Sequence, residues 1–229
     1  MAKTADEIIF EDISGRLNKV ALHFERREEL RRELKKYQLG DYTPNAAKGK
    51  EVEALAGKMQ TTESSILHEL VHLLDNVRTY YKRNGLSENE LSVIERFRPY
   101  RVAANFANVQ KHGSRGRGKT SSRTDFYALI CKKPEEADAT VSDQIVDIQS
   151  MINFNGTPWE VMDIADSLVR LWELFLRHHT NINVTEFVTR IQRFMPPGLR
   201  RFSIALSDIP KGLADHAKKL DQERKTLNL

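Results

Sequence analysis

Residues 4–39 carry Ile8, Ile9, Ile13, Leu17, Val20, Leu22, Leu30 and Leu34 at helical spacing and then meet Gly40 as a stop. After the turn-like GDYTPN, a second helix is expected over 51–83, closed by Asn84-Gly85 as a C-cap pair. Two helices of this length commit much of the chain to helix packing, so the expected architecture is mainly α. The first is expected as one rod with a bend at Gly15. Its FERREELRRELKK segment is rich in opposite charges at i,i+4, the pattern of a solvated helix face rather than of a polybasic arm.

A third helix has a marked start, with Leu86 as staple, Ser87 as N-cap, Glu90 as the capping-box carboxylate and Leu91 receiving the staple. Pro99 divides it, and a fresh piece runs from there to Gly113. DFYALICK, 125–132, reads as the best strand, and PEEADAT turns it into a hairpin with residues near 141–148. Thr157-Pro158-Trp159-Glu160 reads as N-cap, N1 and N3 of a helix reaching His179. Helices over 185–194 and 208–225 flank a break at Met195-Pro196-Pro197-Gly198. The expected fold is mainly α, a helical bundle with a small inserted β-hairpin. It forms a single helical domain over 1–229, with its core in 51–180, a long N-terminal helix in 1–40 and a C-terminal helical extension in 195–229.

With 229 residues, 40% of them hydrophobic, the chain can bury a full core. Cys131 is the sole cysteine, which excludes an internal disulfide and any cysteine-rich zinc site and points to a reducing compartment. MAKTADEIIF has too short an apolar run for a signal peptide, and no window reaches the length of a membrane span. A cytoplasmic protein with no membrane partner is expected. The net charge of +4 does not by itself announce a nucleic-acid binder, so the local distribution decides more.

That distribution is uneven in RVAANFANVQKHGSRGRGKTSSR, 101–123. Arg101, Asn105, Asn108 and His112 fall on one face of the expected helix: a guanidinium, two amides and an imidazole in place of the usual Glu/Lys mixture. Lys111, Arg115, Arg117, Lys119 and Arg123 follow with no acid among them, as expected for contacts to a phosphate-bearing ligand.

Two motifs compete with this reading. His68-Glu69-Leu70-Val71-His72 matches HExxH, in which two histidines one turn apart hold zinc and the glutamate acts as base on the bound water; Asp75 shares their face. No glycine-turn-histidine extension follows His72 to give a third ligand. Gly113 to Thr120 fits GxxxxGK[ST], but that phosphate loop works between a strand and a following helix, and the expected order here is helix, loop, strand.

Asn108-Val109-Gln110-Lys111-His112 at a helix end, preceded by Arg101 and Asn105, resembles the N-x-x-K-H helix of bacterial helical proteins of the HEPN superfamily. The similarity covers about 63–179. It implies a dimer that binds or cleaves RNA without metal or other cofactor, as a toxin or defence component. In such ribonucleases an arginine and a histidine four to six residues apart act at the dimer interface, where the RNA 2′-hydroxyl attacks the adjacent phosphate. Arg101 and His112 are ten residues apart in between, outside that spacing. Arg16 and His23, with six between, fit it, although Leu17 follows the arginine where a polar residue is usual. The expected roles are His112 for proton transfer, Arg101 as phosphate clamp, Asn105 and Asn108 as orienting partners, and the basic loop for backbone contacts. Beside this stand a zinc hydrolase using His68, Glu69 and His72, and a non-catalytic helical adaptor.

Overall fold

The computed structural model describes residues 5–41, 46–112, 124–132, 143–180, 182 and 184–194. Among these, six α-helices and a small antiparallel sheet make a mainly α fold. Helix α1 (Ala5–Leu34) continues through Gly15 without a break, and α2 (Ala47–Arg83) starts four residues before the expected point. They lie antiparallel. Arg16 reaches Asn76, Arg27 reaches Glu63 and Tyr37 reaches Glu51, so numbers rise along one helix as they fall along the other. At 1.5 Å per residue the two rods are about 45 and 55 Å long.

Ile9, Ile13, Leu17, Val20, Phe24, Leu30 and Leu34 form the buried stripe of α1. Leu22, expected in that stripe, is 54% exposed, because two residues of helix separate it from both Val20 and Phe24 and carry it to the far side. The α2 stripe runs Val52, Ala56, Met59, Ile66, Leu70, Leu73 and Val77 to Tyr81. The apolar interior forms two clusters, the larger extending from Ile9 to Phe24 on α1 and the smaller holding Leu30, Leu34, Val52, Met59, Ile145 and Ile148. Between them lies a charged layer. Arg27, only 3% exposed, donates to Glu63 at 2.7 Å and to Asp147 at 3.0 Å. Burial pushes the Glu63 carboxyl up, while Arg27 pulls it back.

Ser87 caps a short 3-10 turn (Glu88–Leu91) by accepting from the Asn89 amide at 3.3 Å. Glu90 does not complete a capping box. Its carboxylate accepts from the Tyr81 hydroxyl at 2.9 Å and sits 2.7 Å from His179 Nδ1, tying the end of α2 to the end of α5 (Val161–His179). Helix α3 (Ser92–Arg96) stops at an extended Phe97, and α4 (Arg98–His112) starts afresh with Pro99 in its first turn, where no amide is required.

Strand β1 (Thr124–Lys132) pairs with the central β2 (Gln144–Phe154), which pairs in turn with β3 (Thr157–Glu160). The expected hairpin is present as β1 and β2, β3 adds a third strand to it, and the helix start expected at Thr157 moves to Val161. Asn155 and Gly156 have φ of 53° and 78°, the left-handed pair of a two-residue type I′ hairpin turn, so the chain doubles back before it can coil. Pro158 fits because β3 is an edge strand and Pro158 faces Asn153 one step from the turn, at a position that exchanges no hydrogen bonds with β2. Helix α5 follows through the centre. Trp172 is fully buried on it and donates to the Leu70 carbonyl at 2.9 Å, locking it to α2. Helix α6 (Thr185–Gln192) closes the bundle beside α1. No described helix is long and apolar enough to cross a membrane. The helix expected over 208–225 and the PEEADAT turn lie outside the described residues.

Candidate functional site

Where α4 ends against α2, its last described side chains meet a polar face. The Phe106 and His68 rings stand edge to face at 6.3 Å, and one turn later Gln110 Oε1 accepts from His68 Nε2 at 3.0 Å. Helix α1 passes on the other side and contributes His23. Together His23, Thr61, Ser64, Ser65, His68, Glu69 and Gln110 line an open groove of about 250 Å³. The helices dictate this convergence. Arg16 and His23 are seven residues apart, two turns of one face, and His68 and Glu69 flank the buried Leu67 and Leu70 at the rim of the α1–α2 contact.

Arg16 is anchored beside this groove. Its Nη1 donates to Glu69 Oε2 at 2.7 Å and its Nε to Asn76 Oδ1 at 2.6 Å, with the side chain 30% exposed. These bonds take two of the five guanidinium N–H groups. Partial burial pulls the His23 imidazole below its ordinary range, with Glu69 acting the other way and Lys19 adding to the fall. Burial pulls His68 down as well, against the Gln110 hydrogen bond, with His72 adding to the fall. Both rings are therefore neutral near pH 7 and able to accept a proton.

The HExxH side chains turn to different partners. His68 engages Gln110, Glu69 engages Arg16, and His72 Nδ1 lies 3.3 Å from Asp75 Oδ2. The two imidazole centroids are 6.2 Å apart at 57°. Among the described residues no three His, Cys, Asp or Glu side chains converge in a way that could hold a metal ion, so the third ligand the motif needs is not among them.

The α4 stripe sits elsewhere. Arg101 and Asn108 are exposed and Asn105 is half-buried with a polar partner. Gln110, which touches α2, is nine residues from Arg101, or about 180° round the helix. The described stripe residues accordingly line no part of the groove. Lys111 and His112 close α4, with side chains outside those described, and Arg115, Arg117, Lys119 and Arg123 also lie outside the described residues. So does the GxxxxGK[ST] loop itself, but its flanks are helix α4 before and strand β1 after, the reverse of a nucleotide loop.

Sequence reasoning met His23 only as the partner of Arg16 in spacing, and gave Thr61, Ser64, Ser65 and Gln110 no site role. The signal for His23 was present, since it lies on the partly exposed edge of the α1 stripe one helical repeat from Arg16. Nothing in the sequence alone set α1 against this stretch of α2. In comparison with known proteins, the chain matches no protein-family model, no curated protein and no solved structure.

Proposed function

We propose that the α1–α2–α4 groove binds single-stranded RNA and cleaves it by metal-independent acid/base chemistry. The observation that supports this reading is the meeting of two imidazoles from different helices, His23 and His68, beside the Arg16 guanidinium, at the point where α4 hands over to the basic segment 111–123. In such a reaction one neutral imidazole takes the proton of the RNA 2′-hydroxyl as its oxygen attacks the adjacent phosphorus. The other, protonated, returns a proton to the departing 5′-oxygen. Arg16 stabilises the charge gathering on the phosphorane oxygens, and Glu69 and Asn76 hold it in position. Arg16 and His23 also satisfy the arginine–histidine spacing of the HEPN ribonucleases, whose pairs work across a dimer. A second copy of the chain facing this groove belongs to the same proposal.

The test is cleavage of a single-stranded RNA with and without EDTA by wild type, His23→Ala, His68→Ala and His112→Ala. The expected result is EDTA-insensitive cleavage leaving 2′,3′-cyclic phosphate ends, lost in the first two variants while their circular dichroism is kept. Loss in His112→Ala alone would return the site to the α4 stripe. A wild type that binds no RNA would overturn the reading altogether.

A further inference from the structure

Three hydroxyls line the groove on α2, and each has already committed its proton. Thr61 Oγ1 donates to the Gly57 carbonyl at 2.9 Å, Ser64 Oγ to Gln60 at 2.8 Å and Ser65 Oγ to Thr61 at 3.0 Å. A hydroxyl has one hydrogen, so while these bonds are kept all three present lone pairs toward the groove. Gln110 is oriented by the same fact. Its Nε2 points at Ser64 Oγ, 3.5 Å away, and its Oε1 at His68 Nε2. The reversed amide would set Oε1 against a serine oxygen that has no proton left to give, so the amide faces this way and the neutral His68 carries its hydrogen on Nε2, leaving Nδ1 as the ring's acceptor. With the Glu69 carboxylate alongside, this wall of the groove consists of acceptors.

A phosphate, itself made of acceptors, has no partner along that wall and belongs with Arg16. What fits is a flat group carrying N–H donors. Ser64 and Ser65 lie one helical turn before His68, about 5 Å along the axis, close enough for the base of a nucleotide whose phosphate sits at the imidazoles. Single-stranded RNA offers such edges because its unstacked bases expose their pairing atoms. We infer that Thr61, Ser64 and Ser65 form a base-reading subsite selecting an amino-bearing edge, that of adenine, cytosine or guanine, over the carbonyl-flanked edge of uracil. This inference rests on the reading of the groove as an RNA site.

The experiment compares two short single-stranded RNAs identical except that adenosines in one are replaced by purine riboside, which lacks only the 6-amino group. Wild-type protein is expected to bind the adenosine RNA about tenfold more tightly, the effect of one to two net hydrogen bonds. In the double variant Thr61→Val with Ser65→Ala the ratio falls toward one. Both changes remove only a bond to the helix's own carbonyl, and circular dichroism verifies the fold. Equal binding of the two RNAs by wild type, or a ratio retained in the double variant, would overturn the subsite while leaving RNA binding by the groove standing. No binding of either RNA would overturn both.

Discussion

The Arg27 guanidinium lies inside the molecule between two carboxylates, at the layer that parts the two apolar clusters. Removing it strands Glu63, which is 1% exposed, as an uncompensated buried charge. Arg27→Ala is expected to lower stability by about 3–5 kcal/mol, whereas Arg27→Met combined with Glu63→Met recovers part of that loss, because it removes the more deeply buried of the two unpaired charges and leaves only the partly exposed Asp147 without its partner. Urea denaturation of the three proteins checks this; equal losses in the single and double variants would contradict it. The same residue marks how far the sequence was legible. Arg26–Glu29, Arg31–Glu28 and Arg32–Glu28 are the local surface pairs the Arg/Glu run announces. Arg27 sits three residues from both Phe24 and Leu30, on the buried stripe, and its composition concealed what its spacing revealed. Among the site residues, the pH dependence follows from the two lowered imidazoles. The proposed cleavage needs one of them protonated, and that form is lost as pH rises through a value below the ordinary 6.5. It also needs the other neutral, a form lost as pH falls. The optimum of kcat/KM is therefore expected on the acid side of 6.5, with decline by pH 7.5. A plateau extending above pH 7.5 would show that these rings do not carry the chemistry.

Among the elements, the long helices α1, α2 and α5 were legible because a stripe of many apolar positions outweighs any single residue. The segment before α5 was not. Thr157-Pro158-Trp159-Glu160 has the residues of a helix start, yet Asn155-Gly156 just before it has the residues of a tight hairpin, and the pairing of Ile152 with Trp159 buries one against the core and half-buries the other. Local capping chemistry and turn chemistry competed, and strand pairing decided the outcome. Gly156 carries φ of 78° with open space where a Cβ would go, so a substitution there is penalised by backbone strain alone. Gly156→Ala is expected to cost about 1–2 kcal/mol. The loss should appear as a lower urea midpoint with an unchanged slope, since the compactness of neither state is altered. A neutral substitution would mean that the turn relaxes without loss and does not fix where β3 begins.

In the whole molecule, charge is nearly balanced, with 36 Lys and Arg against 32 Asp and Glu, so the long-range field depends on where the cations stand. On α1 and α2 most described cations face an acid of their own helix or its neighbour, as Arg16, Arg27, Arg31 and Arg78 do. The segment 111–123 holds five cations and no acid, and removing them would make the net charge negative. It begins at Lys111 in the last turn of α4, next to Gln110, which itself lines the groove. The proposal that RNA seats at His23 and His68 assigns the neighbouring phosphates to these five cations. If Arg16 and all five cations contact phosphate, log K for single-stranded RNA should fall against log salt with a slope of about −4.2. Replacing Arg115, Arg117, Lys119 and Arg123 by Gln should flatten the slope to about −1.4, while a preference for adenosine over purine riboside persists, because phosphate contacts position the strand and the groove reads the base. A slope unchanged by the four substitutions would place the phosphate contacts elsewhere on the protein and separate the basic segment from the groove.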